Sequence, residues 1–110
     1  MLQKSIEETI RLKARLFKTL GDPNRIRILE MLRGGEVCQC EIVPVIGQSQ
    51  PTVSRHLKLL EDAGLIRTRK EGTRVYYSLV SPMVLRILDA VDQEMVELLA
   101  GELAKKMGLG

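Results

Sequence analysis

The stretch SQPTVSRHLKLLEDAGL, residues 49–65, decides the fold. Ser49 is a natural helix N-cap, and Pro51 falls in the first turn, where backbone amides have no intrahelical partner. Val53, Leu57, Leu60 and Ala63 recur at i, i+4, i+7 and i+10, so they lay an apolar back along one face before Gly64 ends the helix. Ser49, Gln50, Thr52, Ser54, Arg55, His56 and Lys58 make up a polar and basic front, with no acid before Glu61. Such a helix can stand on a domain by its back and enter a DNA major groove with its front.

Working outward, residues 36–46 read as a brief helix closed by Gly47, which makes 37–63 a helix-turn-helix. Downstream the period changes from helical to alternating. LIRTR, the turn KEGT and RVYYSLV predict a hairpin over 65–79 with Gly72 in the turn. The hairpin places Arg67, Arg69, Lys70, Thr73 and Arg74 along its strands and tip, where basic residues suit phosphate or minor-groove contact. Between Ser49 and Ser78 there are six basic residues against three acids, so the net charge of +3 sits in this segment. His56, the only histidine, is open to two readings: a DNA contact or a packing histidine.

The flanks are helical. Residues 4–20 carry Ile6, Ile10, Leu16, Phe17 and Leu20 at helical spacing, and GDPN stops the run. Asp22 then caps a second helix with Pro23 at its first position. Residues 82–106 predict one long closing helix, begun by Ser81 and Pro82 and striped by Leu85, Leu88, Val91, Met95, Leu98, Leu99 and Leu103. The expected fold is mainly α with a small β-hairpin, a single winged helix-turn-helix domain over 1–110 in the order α-α-α-α-β-β-α. A chain of 110 residues with three aromatics has a small aliphatic core, and the last stripe is long for so small a domain. Both features predict a homodimer, and a two-fold dimer matches palindromic DNA half-sites. No apolar run is long enough to span a bilayer, and MLQKSIEETIRLKARLF lacks the apolar block of a signal peptide. A cytoplasmic, reducing compartment is therefore expected.

The two cysteines lie one residue apart in GEVCQCEI, residues 35–42. That pair is no disulfide framework of a secreted domain, and a dithiol oxidoreductase would need the α/β scaffold that this pattern lacks. No other catalytic constellation appears, so no enzyme is expected. Thiolates at Cys38 and Cys40 would prefer soft ions over Mg or Ca. Residues two apart on an ideal helix point about 200° from each other. Chelation by both sulfurs is therefore expected to distort the start of the third helix.

Two runs carry a resemblance. FKTLGDPNRIRILEMLRGGEVCQCEI is similar to the opening of the ArsR/SmtB family of small metal-responsive repressors, and SQPTVSRHLKLLEDAGLIRTRKEGTRVYYSL to its recognition helix and wing. The resemblance implies a homodimer paired through its first and last helices, bound to double-stranded operator DNA and released by an effector. It implies As(III), Cd, Pb or a similar soft ion at the Cys-x-Cys motif, matched here by Cys38 and Cys40. Arsenite-responsive members place a third cysteine where this chain has Val43, and the family's zinc-type site on the last helix finds Asp89 followed by Val91, Glu102 and Lys105. The zinc-type site is thus expected to be absent. Two alternatives stand beside the soft-ion reading: a regulator of this fold with no metal effector, or one responding to thiol oxidation.

Overall fold

The computed structural model describes residues 5–109. Helix α1 (Ile6–Leu20) is capped by the Ser5 hydroxyl, which accepts from the Glu8 amide at 3.1 Å. The expected start at Lys4 lies outside the described residues. Asp22 caps α2 (Pro23–Met31) by accepting from the amides of Asn24 and Arg25. A 3-10 turn, Leu32–Gly34, leads to Gly35, whose φ of 123° is a conformation that suits glycine. Strand β1 (Val37–Cys38), α3 (Gln39–Ile46), α4 (Gln50–Asp62), β2 (Ile66–Glu71), β3 (Arg74–Leu79), α5 (Met83–Ala90) and α6 (Gln93–Lys106) follow.

The helix-turn-helix forms as its local chemistry dictates. Gly47 ends α3 in the left-handed region at φ 75°, and its amide donates to the Val43 carbonyl. Ser49 caps α4, accepting from the Thr52 amide. Val53, Leu57 and Leu60 are sealed against Ile28, Leu29, Leu32 and Ile42 to make the core. Shortening one of these leucines to alanine would cost about 2–5 kcal/mol.

Three expectations need correction. The third helix does not begin at Glu36. Val37 and Cys38 pair antiparallel with Tyr77 and Tyr76, so the segment before Gln39 is extended and the sheet has three strands in the order β1-β3-β2. The closing helix is not continuous over 82–106. Val91 leaves the helical region at ψ 75°, and the Asp92 carboxylate caps a new helix by accepting from the Met95 amide at 2.9 Å. The order is therefore α-α-β-α-α-β-β-α-α. The expected hairpin stands, with β2 and β3 in register from Ile66↔Leu79 to Glu71↔Arg74.

Two contacts fix the flanking helices on this frame. Arg15 donates from Nη2 to the Asp62 carbonyl at the end of α4. Arg33 holds Asp89 of α5 in a two-point ion pair at 2.7 and 3.1 Å, and it also binds Glu30. That pairing keeps the Asp89 carboxyl below its ordinary range. The outer faces stay apolar: Ile6, Ile10 and Phe17 of α1 are exposed, and no residue of α6 is buried. Among the described residues, no helix is long and apolar enough to cross a membrane.

Candidate nucleic-acid interface and thiol site

Helix α4 presents Ser49, Gln50, Thr52, Arg55 and Lys58 to solvent, with Ser54 half-buried. The cap geometry puts the first of these at the helix N-terminus, the end that reaches base edges in a helix-turn-helix. Lys58 pairs with Asp62 one turn on, at 3.2 Å. Along the wing, Arg67, Lys70, Thr73 and Arg74 are exposed, and Gly72 makes the tip at φ 61°. Front and wing together form a basic surface of the kind that DNA phosphates attract.

Two of the expected contact residues are placed otherwise. His56 is only 8% exposed, and its Nδ1 lies 3.1 Å from Arg25 Nη1. On a helix, position 56 shares its face with Val53, Leu57 and Leu60, so this side chain turns inward and joins α4 to α2. It belongs to the packing surface, not to the front. Arg69 is exposed but occupied. It binds Glu36 at 2.7 and 3.0 Å and Glu71 at 2.9 Å, and lies over the Tyr76 ring. These hydrogen bonds raise the Arg69 guanidinium further above its ordinary pKa and hold the Glu36 carboxyl below its own.

The thiols sit where these elements meet. Cys38 is buried at 3% exposure and is the N-cap of α3, its sulfur accepting from the Cys40 amide at 3.2 Å. Cys40 is exposed in the first helical turn. Their Cα atoms are 5.1 Å apart, and the two sulfurs are joined as a disulfide. Because Cys38 is extended and only Cys40 is helical, both sulfurs already lie on one side. Bringing the two sulfurs to one side therefore needs no unwinding of α3. Pro44, inside α3, has no amide with which to satisfy the Cys40 carbonyl, so this first turn lacks one of its rungs.

Three residues of this segment reach α4 or the wing. Glu36 grips Arg69 of the wing. Cys38 is paired through its backbone with Tyr76 of β3. Gln39, between the cysteines, donates from Nε2 to Ser54 Oγ of α4 at 2.9 Å. A cavity of about 500 Å³ opens beside the sulfurs and is walled by Gln50 of α4 and by Thr73 and Arg74 of the wing tip. Val43 occupies part of the same wall. Among the described residues, no group of three or more His, Cys, Asp or Glu is placed to hold a metal ion. Only after reduction of the bond between them would the two sulfurs offer two thiolate ligands to a soft ion.

A helix-turn-helix with a basic front, followed by a basic two-stranded wing, defines a winged-helix DNA-binding protein. Comparison with known proteins narrows this class. Residues 22–68 match the arsR family of bacterial regulatory proteins. The chain is 37% identical over 102 residues to the arsenical resistance operon repressor of Escherichia coli K12, covering 86% of this chain and 87% of that one. It is 42% identical over 81 residues to an HTH-type transcriptional regulator of Methanocaldococcus jannaschii, covering 73% and 91%. A homodimeric winged helix-turn-helix DNA-binding domain from Mycobacterium bovis superposes with a TM-score of 0.68 at 31% identity, over 93% of this chain and 92% of that one. The chain belongs to the ArsR family of transcriptional repressors. It is a DNA-binding regulator and not an enzyme.

Proposed function

We propose that the protein is a homodimeric repressor that holds double-stranded operator DNA and releases it when As(III), Cd, Pb or a similar soft ion binds Cys38 and Cys40. The observation that carries this reading is the adjacency of the two sulfurs within a segment bonded to both DNA-facing elements. Ser49, Gln50, Thr52, Ser54 and Arg55 read or position the major groove, with Lys58 at its edge. Arg67, Lys70, Thr73 and Arg74 meet phosphates from the wing. The exposed apolar faces of α1 and α6 are the dimer surface, and a two-fold dimer repeats the recognition helix at matching half-sites.

The coupling follows from the contacts. An ion held by the reduced pair re-aims Cys38 and Cys40 around its own coordination geometry, and the backbone between them must follow. Gln39 then pulls on Ser54, and β1 pulls on β3, so recognition helix and wing lose their common alignment. Couplings of this kind amount to about 1–3 kcal/mol, or roughly 5- to 150-fold in affinity. A second reading, control by thiol oxidation, is favoured by one observation, the bond between the two sulfurs. Operator titrations of the reduced protein with each soft ion, and of the oxidised protein without one, separate the two. Release by an ion that is abolished in Cys38→Ser/Cys40→Ser supports the first, and ion-independent release on oxidation supports the second. Unchanged operator affinity in every arm contradicts both.

A further inference from the structure

Two sulfurs leave a three-coordinate soft ion one ligand short, and the chain has no further thiol to give. Cys38 and Cys40 are its only cysteines, and a second copy brings only the same pair, committed to its own site. The single histidine, His56, is buried against Arg25. Glu36, the nearest upstream carboxylate, is held by Arg69 through both oxygens. A soft ion also takes carboxylate oxygen less readily than sulfur.

The space beside the sulfurs has the form of a ligand site. Its volume of about 500 Å³ far exceeds that of an ion or a water and falls in the range that accepts small organic ligands. Val43, Pro44 and Val75 line it with apolar surface, Gln50 and Thr73 offer polar groups, and Arg74 supplies a positive charge. Arg69 is tied up by two carboxylates, whereas Arg74 has no ion-pair partner among the described residues. A guanidinium in that state is suited to a carboxylate, which it grips at two points.

We propose that the third ligand is the thiolate of a small anionic thiol, seated in this cavity with its carboxylate on Arg74. The inference rests on the soft-ion reading above and names the co-ligand of that site. For arsenous acid the step balances by exchange. Two equivalents of the small thiol first reduce the Cys38–Cys40 bond and leave joined as their own disulfide. Three S–H groups, two from the protein and one from a further small thiol, then replace three hydroxyls on arsenic: three As–S bonds form, three As–O bonds break, three waters leave, and arsenic stays As(III). The occupied site removes Arg74 from phosphate contact and fills the notch between α4 and the wing, so release of DNA gains a direct component. Anionic thiol and operator then compete for the same guanidinium.

The test uses the reduced full-length protein and As(III) with one added thiol at a time: glutathione (anionic), 2-mercaptoethanol (neutral) or cysteamine (cationic). Native mass spectrometry reads composition, and the near-ultraviolet As–S absorption reads affinity. The expected result is one As(III) and one glutathione per subunit, with about tenfold tighter ion binding than with cysteamine, following the value of a charged contact. Arg74→Gln should erase that preference while the protein still binds As(III). Equal affinity with all three thiols, or complexes that contain no added thiol, would overturn the proposal and leave the soft-ion reading standing. Failure to bind As(III) with any thiol would remove both.

Discussion

Replacing Gln39 by alanine removes one hydrogen bond and leaves both thiols in place. The Gln39 Nε2 to Ser54 Oγ bond is 2.9 Å long and partly buried, and it joins residues 15 positions apart in sequence. A neutral bond of this kind has a net value of about 0.5–1.5 kcal/mol. If it transmits ion binding to the recognition helix, its loss shrinks the ion-induced drop in operator affinity by about two- to tenfold. The assay is fluorescence anisotropy with labelled operator, with and without saturating As(III), for the parent, Gln39→Ala, Ser54→Ala and the double variant. Ser54 also stands on the DNA-facing helix, so Ser54→Ala alone mixes two effects, and the double-mutant cycle separates them. The expected signature is non-additivity: once either partner is gone, removing the other leaves the ion response as it is. Strictly additive changes, or a Gln39→Ala protein with the full ion response, would refute this route of coupling.

Other consequences follow from the same contacts. Lys70→Ala should lower the slope of log affinity against log salt by about 1, the loss of one phosphate contact, whereas Arg69→Ala should leave that slope unchanged because its charge is already matched by Glu36 and Glu71. His56→Ala should destabilise the fold by about 1–3 kcal/mol in urea denaturation, from the cavity and the lost Arg25 contact, with operator affinity of the folded fraction within about twofold of the parent. Leu99→Glu, on the exposed stripe of α6, should convert dimer to monomer in sedimentation, with helical content by circular dichroism retained. Glu36 has a carboxyl depressed below the ordinary 4.5 by its hydrogen bonds to Arg69, so its contribution to stability is present above that value and is lost as pH falls through the depressed one. Wing amide shifts followed by NMR should therefore titrate with a midpoint below 4.5, and Glu36→Gln should abolish the transition.

How far these features were legible in the sequence depends on the range of the interaction. Ser49, Pro51 and Gly64 mark the ends of the recognition helix by local backbone chemistry, and Val53, Leu57 and Leu60 mark its back, so α4 could be read directly. The same periodicity also held the signal for His56, since position 56 falls beside 53, 57 and 60, but its polar identity drew it to the front. The break at Val91 was hidden because the apolar stripe runs on through it, although Asp92 three residues before Met95 is an N-cap signal. Strand β1 is two residues long, too short to express an alternating pattern, and it exists because β3 offers it partners far along the chain, Tyr77 for Val37 and Tyr76 for Cys38. Gln39 to Ser54 and Glu36 to Arg69 are likewise tertiary contacts, and no local spacing announces them. The closeness of the two cysteines was thus readable, while their contacts with α4 and the wing were not.

In the proposed switch, an ion at Cys38 and Cys40 and operator DNA bias one protein in opposite directions. Linkage makes this opposition measurable from the ion's side, because the factor by which the ion weakens operator binding must equal the factor by which operator weakens ion binding. The direct measurement is therefore the As(III) affinity of the reduced protein alone and of the same protein saturated with operator. Ion binding is expected to be weaker in the DNA complex, by about 5- to 150-fold and by the factor found in the operator titration. Equal ion affinity in the two states would contradict it.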